Sequence, residues 1–350
     1  MLHKNNFFLV IVIFLVFASA CNNKSESNTN TSVETKKEEK PKSYEAMQKQ
    51  YLDSLIKVYP DNPEIYFERA KFSFNIGSKH AALADLYSAI HLDSLNITYY
   101  YFGGELFIEL GEGNKAIQLM SKAISLFPED EELYLMAGEY NLYMGYHQSS
   151  LNFLNDLLKM NPSNGEAYVI KGFVYKDLGE IDRAISNFQT AVEQDPQLYD
   201  AYMQLGLLFS NKKNDLAVNY FNNALRVDPE SREAMYGRAY HFQNKNNFNK
   251  AIENYREILE MNPKDAEIYF NIGFCYKEMD SLEKAYQNLE IATNIKPNYA
   301  GAFYLKGIIA ELSGNDQAAL INYRNAKNML PNDEQVLEAV ARLSAKLKPE

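Results

Sequence analysis

The chain has 350 residues, of which 46% are hydrophobic, 13% aromatic and 23% charged. Such a composition supports a sizeable buried core and excludes a wholly disordered chain. With 35 basic and 46 acidic residues, the formal net charge is −11. This charge argues against a general nucleic-acid binder, because neutralising phosphates requires a basic surface. Nucleic-acid binding through a local basic patch is the alternative that stays open.

The N-terminus has the pattern of a secretion signal. Lys4 precedes the uncharged apolar residues 7–20, a stretch shorter than the roughly 18 residues that a membrane-spanning helix requires. It runs into the sequence ASAC at residues 18–21, which resembles the bacterial lipobox. The resemblance implies that residues 1–20 are cleaved and that Cys21 is lipidated, which gives stable membrane anchoring when several acyl chains are attached. The alternative is an ordinary cleavage site with an incidental cysteine.

Residues 22–42 are almost entirely polar, with Val33 as their only aliphatic residue. Such a segment cannot bury enough apolar surface to offset its ordering entropy. We predict that residues 21–43 form a lipidated cysteine and a flexible tether.

The rest of the chain repeats with a period of 34 residues. Prolines recur at this period at Pro128, Pro162, Pro196, Pro229, Pro263, Pro297 and Pro331. An aromatic column comprises Tyr66, Tyr100, Tyr134, Tyr168, Tyr202, Tyr269 and Phe303, interrupted by Met235. Four residues later comes a small column, namely Ala70, Gly104, Gly138, Gly172, Gly206, Ala239, Gly273 and Gly307. Further columns, one of small residues from Ala82 to Ala319 and one of large apolar residues from Leu86 to Tyr323, are also four residues apart. These spacings predict helical faces.

This pattern resembles the tetratricopeptide repeat family over residues 63–331. The resemblance implies an all-α fold, a right-handed superhelical solenoid of about eight antiparallel helix hairpins. In each hairpin we expect a glycine or alanine of the first helix to face an alanine of the second helix. Two small residues at the contact let the paired helices approach closely. We also predict an N-terminal capping helix within residues 44–62 and a C-terminal one within residues 332–350.

The turns between paired helices carry recurrent residues suited to a left-handed backbone. They are Gly77, Gly111, Gly145, Gly179 and Gly314, with Asn246 and Asp280 as substitutes. One repeat has only 33 residues, and we expect its missing residue to be lost from the turn at residues 212–214.

No pattern of catalytic or metal-ligating residues is present in the sequence. The histidines are scattered, and phosphate-binding loops, dinucleotide fingerprints and zinc-type spacings are absent from it. Cys275 and His241 lie among aromatic residues and are interpreted as buried core residues. We therefore predict a protein that is not an enzyme and needs no cofactor or metal.

Two rows of residues are expected to line the concave groove that the family resemblance implies. The first row follows the aromatic column by one residue and includes Met203, Tyr236, Phe270 and Tyr304. The second row follows it by five residues and includes Phe173, Leu207, Tyr240, Phe274 and Ile308. Large exposed apolar surfaces usually mark interaction sites, so these nine residues are the predicted partner-binding set. The alternatives are that the capping helix covers them, or that they belong to the core.

The sequence thus predicts a membrane-anchored, non-catalytic scaffold of the bacterial cell envelope that binds protein partners. Asn22 follows Cys21 in place of the aspartate that retains enterobacterial lipoproteins at the inner membrane, so the lipoprotein resemblance implies an outer-membrane location if the cell has one. A self-assembling structural subunit and a non-catalytic subunit of an envelope enzyme complex are alternatives. Homo-oligomerisation stays open. Acidic residues such as Glu132 and Glu166 recur near the start of most first helices. Stabilisation of the helix dipole is sufficient to explain them. The alternative is that they bind a basic ligand.

Overall fold

The structure is a computed structural model that describes residues 43–348. Of the described residues, 43–50 and 51–348 belong to two separate units. The predicted signal peptide, Cys21 and almost all of the tether lie outside the described residues. The described residues form the helices α1 Tyr44–Val58, α2 Pro63–Asn75, α3 Lys79–Leu92, α4 Ile97–Glu109, α5 Gly113–Leu126, α6 Glu131–Tyr143, α7 His147–Met160, α8 Gly165–Asp177, α9 Ile181–Gln194, α10 Tyr199–Asn211, α11 Leu216–Val227, α12 Arg232–Asn244, α13 Phe248–Met261, α14 Ala266–Glu278, α15 Leu282–Ile295, α16 Ala300–Leu312, α17 Asp316–Met329 and α18 Glu334–Lys346.

Consecutive helices from α2 to α17 pack as eight hairpins. Each hairpin also packs on the next, and the first helices of neighbouring hairpins touch, as in α6 with α8 and α10 with α12. The segment between residues 43 and 348 contains no β-strand. The predicted all-α solenoid of about eight helix hairpins is therefore confirmed.

The small column lies against the large apolar side chains of the partner helix. A Cβ atom added to Gly172 would lie 2.5 Å from Phe188 Cε1, and one added to Gly206 would lie 2.6 Å from Phe221 Cε1. Small residues of the second helix lie at the same contact, since Ser150 Oγ donates to the Gly138 carbonyl at 2.7 Å and the Ala285 carbonyl oxygen lies 3.2 Å from a Cβ added to Gly273. The nearest atoms belong to the large column, because its rings reach across the hairpin and occupy the space that a Cβ would need.

Three tyrosines of the aromatic column, Tyr100, Tyr134 and Tyr168, bond their hydroxyl groups to the turn that precedes their helix. The hydroxyl of Tyr134 donates to the carbonyl oxygen of Pro128 at 3.2 Å, and that of Tyr168 donates to the carbonyl of Pro162 at 3.2 Å. These two tyrosines thereby tie α6 and α8 to the proline turns that precede them.

The turn residues adopt the predicted left-handed conformation. Gly77, Gly111, Gly145, Gly179 and Gly314 have positive φ, as do Asn246, Asp280 and Lys213. The turn at Lys213 therefore has the same form as the others, and the prediction that it loses a residue is wrong. The deletion falls instead in the first turn of α11, which spans 12 residues where α9 spans 14.

Candidate functional site

The second row is the more exposed of the two predicted rows. Leu207 and Tyr240 are 42% and 43% exposed, whereas Phe173, Phe274 and Ile308 are half-buried. Leu207 and Tyr240 belong to no hydrophobic cluster of the core. Their side chains are thus available at the surface formed by the first helices.

The first row is mostly involved in packing between neighbouring hairpins. Met203 is only 7% exposed and packs with Phe221 and with Ala234 of α12. The prediction that Met203 lines the groove is therefore wrong. The aliphatic residues at the equivalent positions of the two preceding repeats, Leu135 and Val169, are buried as well.

The aromatic members of the first row extend further and stay half-buried. The ring of Tyr236 stacks on that of Tyr240, with centroids 6.0 Å apart and planes at 11°. The ring of Phe270 lies 5.2 Å from that of Tyr299. The stack on Tyr236 holds the exposed ring of Tyr240 in a fixed orientation, which reduces the entropy that a bound partner would have to remove.

Sequence reasoning missed two polar residues that position Tyr236. Asn271, buried on α14, donates through Nδ2 to the Tyr236 hydroxyl at 3.3 Å. The guanidinium of Arg232 lies 5.6 Å from the centre of the Tyr236 ring and pairs with Asp265 and Glu267 at 2.8 and 2.7 Å. Neither residue stands in a repeated column, so the periodicity carried no signal for them.

Two cavities adjoin the predicted rows. One of about 330 Å³ is lined by Tyr240 and Phe274 together with the amides of Gln243 and Asn244. Another of about 450 Å³ contains Tyr304 and Ile308.

The second cavity is also bordered by the C-terminal helix. Ala339 and Arg342 of α18 line it. Tyr304 and Ile308 pack against a cluster that includes Ala339 and Leu343. The capping helix therefore covers part of the row at its C-terminal end, and the free apolar surface is formed by Phe173, Leu207, Tyr240 and Phe274. We call these four residues the apolar part.

Cys275 and His241 are buried at the same position of consecutive repeats. Burial raises the pKa of the Cys275 thiol to about 12, so the thiol stays protonated and its Sγ contacts Gln243 Oε1 at 3.6 Å. His241 Nδ1 lies 3.2 Å from Ser210 Oγ. Both residues are in the core, as the sequence interpretation held.

Over the described residues 43–348, no group of three or more His, Cys, Asp or Glu side chains is placed to hold a metal ion. No helix in the same part of the chain is both long enough and apolar enough to cross a membrane.

Comparison with known families decides the nature of the repeats. A profile described as TPR repeat matches residues 172–212 and 241–280, and one described as tetratricopeptide repeat matches residues 199–231 and 266–299. These segments are tetratricopeptide repeats. No curated protein matches the chain.

A solved structure shows the same fold at low sequence identity. The C-terminal part of a TPR repeat-containing protein from Cytophaga hutchinsonii is 16% identical, with a TM-score of 0.61, and the match covers 70% of this chain and 99% of that one. A tetratricopeptide repeat protein from Parabacteroides merdae is 20% identical, with a TM-score of 0.48, covering 71% of this chain and 98% of that chain. PilF from Pseudomonas aeruginosa is 15% identical, with a TM-score of 0.47, and the match covers 62% of this chain and 97% of that chain.

Proposed function

We propose that this protein is a non-catalytic scaffold, lipid-anchored in the bacterial cell envelope, that binds a protein segment on the surface formed by its first helices. The observation that carries the proposal is the apolar part. Four consecutive repeats place an apolar side chain at the same outward position, and at least two of these side chains, Leu207 and Tyr240, are more than a third exposed. Rigid aromatic anchors of this kind dominate the affinity of protein interfaces.

Anchoring rests on the sequence at the N-terminus. Apolar residues, a small-residue triplet and Cys21 follow one another in the order of a lipobox, and a polar segment separates Cys21 from the first helix. Asn22 after Cys21 favours the outer membrane. Lipidation would hold the repeats at the membrane surface, where a bound partner is then concentrated.

Affinity capture from solubilised envelope tests the proposal. The tagged full chain is compared with Leu207→Ser plus Tyr240→Ser and with the matched pair Tyr87→Ser plus Ile321→Ser. Tyr87 and Ile321 lie on second helices and are 51% and 60% exposed, so the two pairs match in residue type and exposure. The proposal expects mass spectrometry to find a protein that the wild type and the second pair retain and the first pair loses. Equal retention by all three chains would refute it.

A further inference from the structure

The second row changes its chemistry along the stack of repeats. Its apolar residues begin at Phe173, and the two preceding repeats place Glu105 and Glu139 at the same position; the first repeat places Lys71 there, and Lys71 Nζ pairs with Glu68 at 2.6 Å. Because consecutive hairpins stack in one register, these glutamates continue the row that carries Leu207 and Tyr240. Glu105 is exposed and Glu139 is half-buried. We call Glu105 and Glu139 the acidic part.

The helices that carry the acidic part contain no basic residue. Together α4 and α6 contain five glutamates and no lysine, arginine or histidine. Glu131 and Glu132 lie in the first turn of α6, where the helix dipole stabilises them. Glu105 and Glu139 lie beyond the first two turns, out of reach of that effect. The dipole therefore does not explain them.

The carboxylates of both glutamates act on one buried phenol. Tyr140 is 7% exposed, and its hydroxyl would lie 3.1 Å from a Cβ added to Gly104, the residue before Glu105. Burial raises the pKa of Tyr140, and the negative charges of Glu105, Glu139 and Glu132 raise it further. The tyrosine therefore stays protonated, and the negative charges of these carboxylates would attract a basic side chain at the surface beside it.

Basic side chains near the apolar part are occupied by other contacts. Lys176 Nζ donates to Gln204 Oε1 at 2.8 Å, and Lys277 pairs with Glu278. Arg232 pairs with two carboxylates of α14. The surface therefore presents apolar groups in one part and negative charge in the adjoining part.

We propose that the occupant of this surface is a segment of another protein that carries lysine or arginine at one end and aromatic or aliphatic residues at the other. Its basic side chains contact Glu105 and Glu139, and its apolar side chains contact the apolar part. The inference rests on the function proposed above and adds the chemistry of the partner. Residues 22–42 of this chain contain lysines but no aromatic residue. They offer basic groups for the acidic part and no aromatic group for the apolar part, so they do not have the chemistry of the proposed occupant.

Selection from a random peptide library displayed on phage tests this inference. The bait is the full chain in lipid nanodiscs, with counter-selection against empty discs and against the Leu207→Ser plus Tyr240→Ser variant. We expect the recovered peptides to be enriched in lysine and arginine at one end and in aromatic residues at the other. Their binding should weaken as salt is raised, since exposed charges are screened within about 10 Å at 0.1 M ionic strength.

A charge reversal then assigns the basic end. With Glu105→Lys plus Glu139→Lys, the recovered peptides should bind at least about tenfold more weakly, and versions with glutamate in place of lysine should bind this variant better than the wild type. The matched control is Glu253→Lys plus Glu260→Lys on the second helix α13, where both residues are exposed. A milder pair, Glu105→Gln plus Glu139→Gln, provides the readout if the reversed variant does not fold.

The outcomes separate the two proposals. Peptides that require Leu207 and Tyr240 but show no basic enrichment, or bind the charge-reversed chain equally well, would overturn the inference and leave the proposed function standing. Failure to recover any peptide that distinguishes the wild type from Leu207→Ser plus Tyr240→Ser would overturn both. Pairing of two chains through Leu207 and Tyr240, detected by cross-linking, would make a second copy the occupant and also overturn the inference.

Discussion

His241 Nε2 lies 3.6 Å from Asp215 Oδ1, too far for a hydrogen bond and close enough for electrostatic attraction. The imidazole is fully buried and this nitrogen has no hydrogen-bond partner. Asp215 also accepts from Lys245 Nζ at 2.5 Å, and that contact is the main cause of its lowered pKa. The carboxylate sits immediately before α11, at the point where this repeat lacks one residue.

Burial lowers the pKa of His241 more than Asp215 raises it, and Lys245 lowers it further. The unfolded chain therefore binds a proton below about pH 6.5 that the folded chain resists. We expect this histidine to contribute a loss of stability as pH falls from about 7 towards the lower folded-state pKa.

Replacing His241 by leucine, which occupies the same position one repeat earlier at Leu208, should reduce the acid sensitivity of folding. The measurement is the difference in melting temperature between pH 7.5 and pH 5.5, followed by circular dichroism. The exposed His91 provides a control, and His91→Gln should leave the difference unchanged. If His241→Leu keeps the full wild-type difference, the buried imidazole is not the group responsible.

Gly172→Leu should destabilise the hairpin of α8 and α9. Its Cβ alone would lie within 3 Å of three ring carbons of Phe188, and overpacking of this kind typically costs roughly 1–3 kcal/mol. Gly301→Leu is a matched control, because the nearest atom to a Cβ added at this helical glycine is Tyr299 Cε2 at 3.8 Å. Leucine is also a better helix former than glycine. Thermal melts should show a decrease for the first variant only. Equal melting temperatures would contradict the observed packing of glycine against the ring.

The eight hairpins could be predicted from the sequence because each column is set by a local packing requirement that recurs every 34 residues. The exposure of the individual groove residues could not be predicted from the sequence, because it depends on how closely the first helix of the next hairpin approaches them. Met203 and Leu207 lie one helical turn apart and are both aliphatic, yet only Leu207 is exposed. The position of the deleted residue could not be predicted either. Lys213 adopts the left-handed turn conformation that glycine adopts in other repeats, so the missing glycine did not mark the deletion.

The two rows should respond differently to truncation. Tyr236→Ala plus Phe270→Ala removes rings that pack against core clusters and, for Tyr236, the hydroxyl bound by Asn271. We expect this pair to lower the melting temperature. Leu207→Ser plus Tyr240→Ser removes side chains that no core cluster contains and should change it little. The opposite order of the two melting temperatures would show that the second row, and not the first, supports the fold.

Cys21→Ala should abolish incorporation of labelled fatty acid and leave the protein in the soluble fraction or as an uncleaved precursor, because no other residue in the lipobox pattern offers a thiol. Cys275→Ala, at the buried thiol, is the control and should be labelled normally. A Cys21→Ala protein that still takes up fatty acid and sediments with membranes would refute the assignment of the anchor.

The central claim is that the surface of the first helices holds a protein partner, and photo-cross-linking in living cells tests it most directly. A benzophenone amino acid is placed at position 240 or 207 of the first helices, or at position 87 or 321 of the second helices. Irradiation is predicted to give one discrete protein adduct from positions 240 and 207 and none from positions 87 and 321. Adducts from 87 or 321 alone would contradict the account and place the binding surface on the second helices.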